Sequence, residues 1–284
     1  MTHELAFSAQ FPAPPARPRT IAFTSGKGGV GKSSLALNTA LLLARRARRV
    51  AILDGDLGLA NLHVLLGQTP RYDLRHVIAG DRRLRDIILS GPHGLLVVPA
   101  GSGVAELANL SDDDRNELLA QLSEIEHAVD FILIDTGAGI NDTVLTLIAA
   151  SDEAVVVTLP EPTSLADAYA LMKVVVQHAA AYPFHILMNL VRDASHAQQV
   201  HASLEQILLR FLGYRPGYAG FVVADPWVSR AVIQQVPFVI LAPRAPATRC
   251  LEALTDTMLG TPPEPPHAPT GFWDRVLQRS WRLT

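Results

Sequence analysis

The 284-residue chain is poor in cysteine, in lysine and in long apolar runs, and each shortage narrows what it can be. Cys250 is the single cysteine, so no internal disulfide can form and no CxxC pair exists for an iron–sulfur cluster or a structural zinc. A reducing, cytoplasmic setting is expected. No stretch reaches the roughly 18 uninterrupted apolar residues of a membrane span, so any membrane contact is expected to be peripheral. Residues 11–18 are rich in Pro and Ala where a signal peptide would carry an apolar core behind a basic start, and no such peptide is expected. The ten histidines form no HExxH or other close ligand pattern, with His196 and His201 off a common helical face. Net charge is only −3, which rules out a globally basic surface for nucleic acid, and 49% apolar content rules out disorder as the dominant state.

The scarcity of lysine is the most informative of these shortages. Of 24 basic residues, 21 are Arg and three are Lys: Lys27, Lys32 and Lys173. Two of the three share one glycine-rich loop. A compact ammonium fits among bound phosphates where a planar guanidinium is too wide, so composition alone points to residues 26–33.

Four regions follow from the pattern along the chain. Residues 1–19 read as a flexible Pro-rich arm, 20–260 as one nucleotide-binding domain, 261–270 as a linker with five prolines in ten residues, and 271–284 as an amphipathic helix. Within the domain, apolar runs at 20–25, 50–54, 95–99, 131–135, 154–159 and 184–189 read as strands buried on both faces. Helical patterns at 32–46, 112–127, 143–150, 164–179 and 197–211 lie between them, with Ser111 and Asp114 as a capping-box-like start. This alternation predicts an α/β fold, a doubly wound, mostly parallel sheet with helices on both faces.

The first strand runs into Gly26-Lys27-Gly28-Gly29-Val30-Gly31-Lys32-Ser33, the G-x-x-x-x-G-K-[ST] spacing in its strand–loop–helix setting. Glycines let backbone N–H groups turn around a phosphate, and the helix N-terminus adds partial positive charge. Gly28, Gly29, Val30, Gly31, Lys32, Ser33 and Ser34 are therefore the expected nucleotide phosphate contacts, with Lys32 on the β and γ oxygens and the Ser33 hydroxyl on Mg²⁺. Two further apolar strands release carboxylates where ligands gather in open α/β sheets: Asp54 and Asp56 after the second, and Asp135, in a Walker-B arrangement, before Thr136-Gly-Ala-Gly139. Asp135 is expected to hold Mg²⁺, and residues 137–139 to shift as the γ-phosphate comes and goes.

With Lys27 the loop becomes K-G-G-x-G-K-[ST], which resembles the MinD/ParA group of P-loop ATPases. That resemblance implies an ATP-bound homodimer in which Lys27 crosses the interface to the partner's phosphates, Asp56 positions the attacking water, Asp54 supports the metal, and Asn189 reads adenine. Asp225-Pro226 stands where the family has a second base-side loop, although Val223-Ala224 replaces the usual Pro-Glu. The strings Asp56-Leu-Gly-Leu-Ala-Asn61, Val98-Pro-Ala-Gly-Ser-Gly-Val104, Asp135-Thr-Gly-Ala-Gly-Ile140 and Pro160-Glu-Pro-Thr-Ser164 are most similar to the flagellar number and placement ATPases of the FlhG/FleN type. For these, a flagellar GTPase or transcription regulator is the implied partner. The arm, residues 1–19, lacks the Asp-Gln-Ala-x-x-Leu-Arg element with which many members stimulate a GTPase. A DNA- or cargo-partitioning ATPase is the alternative reading, but Arg192, Arg210, Arg215, Arg230, Arg244 and Arg249 are scattered rather than clustered, so nucleic acid is not the expected partner. A metabolic P-loop enzyme would require a deep substrate pocket.

On a helical wheel Phe272, Trp273, Val276, Leu277, Trp281 and Leu283 share one half-circle, and Arg275, Arg279 and Arg282 fill much of the other. This pattern suits a helix lying on an anionic membrane surface, with ATP-driven dimerisation doubling the contact. The alternative is a short helix docked on the chain's own core or on a partner.

Overall fold

The computed structural model describes residues 17–56, 61–99, 112–260 and 271–278, with side chains from 116 onward in the third stretch and up to 277 in the last. The arm up to residue 16, the 57–60 and 100–111 segments of the motif strings, the cap at Ser111 and the linker 261–270 lie outside the described residues, as do Trp281, Leu283, Arg279 and Arg282.

Eight strands form one sheet: β1 (Arg19–Ser25), β2 (Val50–Gly55), β3 (Leu89–Ser90), β4 (Leu96–Pro99), β5 (Phe131–Ala138), β6 (Glu153–Thr158), β7 (Phe184–Val191) and β8 (Gly217–Val223). Their order is β3-β4-β2-β5-β1-β6-β7-β8. Every pairing is parallel except β3 with β4, so the expected doubly wound sheet is what the chain adopts. The central strands carry no polar alternation because helices cover both faces. Ile21 and Phe23 of β1 face one apolar layer while Ala22 between them faces another, and all three are fully buried.

Twelve α-helices are seen among the described residues, with one short 3-10 helix at Pro92–Gly94. They are α1 (Lys32–Arg45), α2 (Leu62–Leu65), α3 (Leu74–Ile78), α4 (Leu84–Ile87), α5 (Asp112–Ala128), α6 (Asp142–Ala150), α7 (Pro162–His178), α8 (Ala194–Leu212), α9 (Pro226–Gln234), α10 (Phe238–Leu241), α11 (Pro246–Gly260) and α12 (Phe272–Gln278). Helix α1 is buried along nearly its whole length, sandwiched between the sheet and α11. The other face is covered by α3 to α8. No described helix is long and apolar enough to cross a membrane.

The C-terminal helix departs from the expectation of a lipid-facing element. Phe272, Trp273 and Val276 are buried in an apolar groove with Leu118, Leu122, Ile125 and Val129 of the α5 region and Leu147 and Ala150 of α6. Arg275, placed by its wheel position on the water side, is itself buried and donates to the Ala150 carbonyl at 2.6 Å. Burying three large side chains contributes roughly 1.5–3 kcal/mol each, enough to hold seven residues against a ready-made groove. The described part of that half-circle, Phe272, Trp273, Val276 and Leu277, is thus taken up by the chain's own core.

Candidate functional site

The loop between β1 and α1 adopts the conformation its glycines permit. Gly31 has φ +88°, and a Cβ there would stand 2.6 Å from Asn189 Nδ2, so both backbone and space demand glycine. A Cβ on Gly26 would collide with the backbone of Asp167 in α7, which fixes the loop's entry. Helix α1 opens at Lys32 with no side-chain cap. Its first backbone donors therefore face the loop, where an anion is favoured.

The acidic half of the site comes from sheet register. Asp54 of β2 pairs with Asp135 of β5, and paired residues of parallel strands present their side chains on the same face. Asp135 is fully buried and Asp54 is 1% exposed. Burial, and next the neighbouring Asp135 charge, push the Asp54 pKa up to about 7. Burial raises Asp135 as well, against the pull of Lys32, whose Nζ donates to Asp135 Oδ1 at 2.6 Å. The Ser33 hydroxyl lies beside this pair, its Oγ 3.4 Å from Lys32 Nζ. Asp54 Oδ2 accepts the Leu62 amide at 3.1 Å at the start of α2.

Two buried carboxylate oxygens, Asp54 Oδ1 and Asp135 Oδ2, have no hydrogen-bond partner. One ammonium between two carboxylates leaves surplus negative charge, and orphaned oxygens beside a serine hydroxyl fit a hard divalent cation. Among the described residues no group of three or more His, Cys, Asp or Glu could hold a metal by itself. An ion here would draw its remaining ligands from phosphate and water, which is how Mg²⁺ is usually held. Asp56, just after β2, faces the end of β5 and the turn that follows it: its Oδ1 lies 3.9 Å from where a Cβ on Gly137 would stand. That turn is tied to the root of the loop by the Gly139 amide donating to the Ser25 carbonyl at 2.9 Å.

Lys27 is held at the rim. Its Nζ donates to Glu161 Oε2 at 3.1 Å and to Thr163 Oγ1 at 3.4 Å, at the junction of β6 and α7. Asn189 is placed behind the loop: Nδ2 donates to the Val30 carbonyl at 2.8 Å and Oδ1 accepts the Leu190 amide at 2.9 Å. An amide side chain has four hydrogen-bonding positions, so one donor and one lone pair remain for a base edge. Asp225 has a structural task, since its two oxygens accept the Trp227 amide, as the cap of α9, and the Ala247 amide, each at 3.0 Å. Glu161 and Thr163 were not singled out from sequence as site residues. The rule that ligand groups sit at the C-terminal ends of parallel strands points to Glu161, which follows β6 beside β1.

These sequence positions lie at the C-terminal ends of the parallel strands. The ParA family, under the description NUBPL iron-transfer P-loop NTPase, matches residues 17–201. The antiactivator FleN of Pseudomonas aeruginosa is 38% identical over 261 residues, covering 92% of each chain. The chain belongs to the MinD/ParA family of P-loop ATPases. The flagellum site-determining protein YlxH of Helicobacter pylori is 38% identical over 154 residues, covering 54% of this chain and 52% of YlxH. Among solved structures, MinD of Pyrococcus horikoshii complexed with Mg-ADP superposes with TM-score 0.67 at 24% identity, covering 85% of this chain and 96% of that one. MinD from the Aquifex aeolicus MinC:MinD complex gives TM-score 0.68 at 22% identity over 86% and 97%. At such identities the structures speak for the MinD-like fold alone.

Proposed function

We propose that this MinD/ParA protein is a Mg-ATP-dependent switch that dimerises with ATP, hydrolyses it slowly and regulates flagellar number or placement, as its similarity to FleN and YlxH suggests. The observation that carries the reading is the buried Asp54–Asp135 pair, two partnerless oxygens beside Lys32 and Ser33 at the mouth of the glycine loop. Bound there, Mg²⁺ would supply charge neutralisation for the phosphates. Ser33, Asp135 and Asp54 are the residues that would hold it.

The side chains divide the remaining work. Lys32 leaves Asp135 for phosphate oxygens when nucleotide enters, trading one anion for another of higher charge. Loop amides and the α1 terminus bind the β-phosphate. Asp56 accepts a hydrogen bond from the attacking water and orients it, opposite the 137–139 turn that responds to the γ-phosphate. Lys27 exchanges Glu161 for the phosphates of a second copy, which makes ATP part of the dimer interface. Asn189 offers its remaining donor and lone pair to adenine. Membrane association in this reading requires α12 to leave its groove, exposing Phe272, Trp273 and Val276 to anionic lipid.

Light scattering with ADP and with ATP tests this. A monomer with ADP and a dimer with ATP are expected, longer-lived in Asp56→Ala and absent in Lys27→Ala, while Lys27→Ala still binds nucleotide. An assembly state indifferent to nucleotide rejects the switch.

A further inference from the structure

At the edge of the sheet opposite the nucleotide loop, where β1 and β6 begin, one carboxylate gathers two distant parts of the chain. Asp152 Oδ1 accepts from Arg17 Nη2 at 2.8 Å and from Arg275 Nη2 at 3.2 Å. Its other oxygen accepts the Thr20 amide at 2.8 Å and the Thr20 hydroxyl at 2.7 Å, so the carboxylate is rigidly aimed. Arg17 is the root of the N-terminal arm. Arg275 is the centre of α12, and it also donates to the Ala150 carbonyl at 2.6 Å and to Thr20 Oγ1 at 3.3 Å.

A second carboxylate closes the arrangement. Glu126 of α5 accepts the Trp273 amide at 3.0 Å at the start of α12. Burial raises its pKa, Asp274 opposes its charge, and the Arg17 cation supports it. The cluster therefore sets Glu126, Asp152 and Asp274 against Arg17 and Arg275. Without Arg17, Asp152 loses one of its two guanidinium donors and Glu126 loses a supporting cation, both beside the docked α12. Repulsion between Glu126 and Asp274 would then act directly on the docked end.

We propose that Arg17 latches α12 in its groove through the acceptor it shares with Arg275: drawing Arg17 off Asp152 loosens α12. The two chain ends become one latch because they share a carboxylate. The coupling needs no assumption about what the freed apolar face then meets, so it goes beyond the switch reading and does not depend on lipid.

Amide hydrogen exchange of residues 271–278 in the full-length, nucleotide-free protein tests it, with wild type, Arg17→Ala, Arg17→Lys, Asp152→Asn and the Arg17→Ala/Asp152→Asn pair. Arg17→Ala is expected to speed α12 exchange about tenfold, equivalent to about 1.4 kcal/mol, while amides of β1 and β5 stay protected. Arg17→Lys, which keeps the charge, should lie nearer wild type. In the Asp152→Asn background, removing Arg17 should add less than it does alone, because the shared acceptor is gone. Unchanged or slower α12 exchange in Arg17→Ala overturns the latch. Asp152 also holds Thr20, so if Asp152→Asn folds poorly the two Arg17 variants decide by themselves. Flotation of Arg17→Ala with vesicles of phosphatidylglycerol and phosphatidylethanolamine separates the two ideas: faster exchange without vesicle binding keeps the latch and rejects the lipid partner.

Discussion

Replacing Asp54 by asparagine should stabilise the nucleotide-free protein while impairing its use of Mg²⁺. Burial and the adjoining Asp135 lift the Asp54 pKa from 3.8 to about 7, so the fold resists ionising a group that the unfolded chain ionises freely. The sign follows from that difference. Where the folded pKa is the higher one, the protonated carboxyl favours the fold, and this stability is lost as pH rises from about 4 to about 7. At 1.36 kcal/mol per pKa unit the loss is at most ~4 kcal/mol above neutrality. Asparagine cannot ionise, still accepts the Leu62 amide, and can offer an N–H to the partnerless Asp135 Oδ2. In EDTA at pH 8 the variant should unfold on the order of 5 °C higher, for a stability gain of roughly 2–4 kcal/mol. That gain should shrink by ~1.4 kcal/mol per pH unit below 7. Denaturant unfolding at pH 5, 6, 7 and 8 measures it, and nucleotide titration with and without Mg²⁺ measures the functional cost. A destabilised Asn variant at pH 8, or a gain that does not vary with pH, would falsify the assignment of Asp54 as a strained partner of Asp135.

Three other perturbations follow from the same geometry. Glu161→Gln weakens the hold on Lys27, so less ATP should be needed for half-maximal dimerisation in a light-scattering titration; a shift to higher ATP would mean that Glu161 helps assembly. Gly31→Ala places a methyl 2.6 Å from Asn189 Nδ2 at φ +88°, and should cost about 1–3 kcal/mol of stability together with most nucleotide affinity, read by calorimetry. Trp273→Ala removes a side chain that is 2% exposed, at ~3–5 kcal/mol for a buried aromatic, more than a seven-residue helix retains. Protease cleavage after Arg275 should therefore appear, while ATP binding stays near wild type.

The nucleotide half of the molecule was legible in the sequence because its signals are local. Strand, glycine loop and helix follow one another from β1 to α1, and the carboxylates at 54, 56 and 135 close apolar runs that read as buried strands. The edges of the sheet were not legible. β3 is two residues long, and Gly217–Val223 of β8 is largely half-exposed, so neither shows the continuous apolar run of a central strand. Helix α11 opens with Pro246 and mixes Thr, Arg and Cys among its apolar positions, which hid its packing on α1.

Residue chemistry and spacing by themselves determined the loop that takes phosphate, the side chains that face it and the parallel sheet that carries them, because those depend on neighbours a few residues apart. What covers an apolar face, and which cation meets which anion, depends on positions more than a hundred residues apart. Lys27 reaching Glu161, Asn189 bracing Val30, and Arg17 and Arg275 meeting at Asp152 exist only once the sheet has brought those strands together. Amphipathicity marks that 271–278 must bury one side; the groove between α5 and α6, with a carboxylate waiting at each end, decided where.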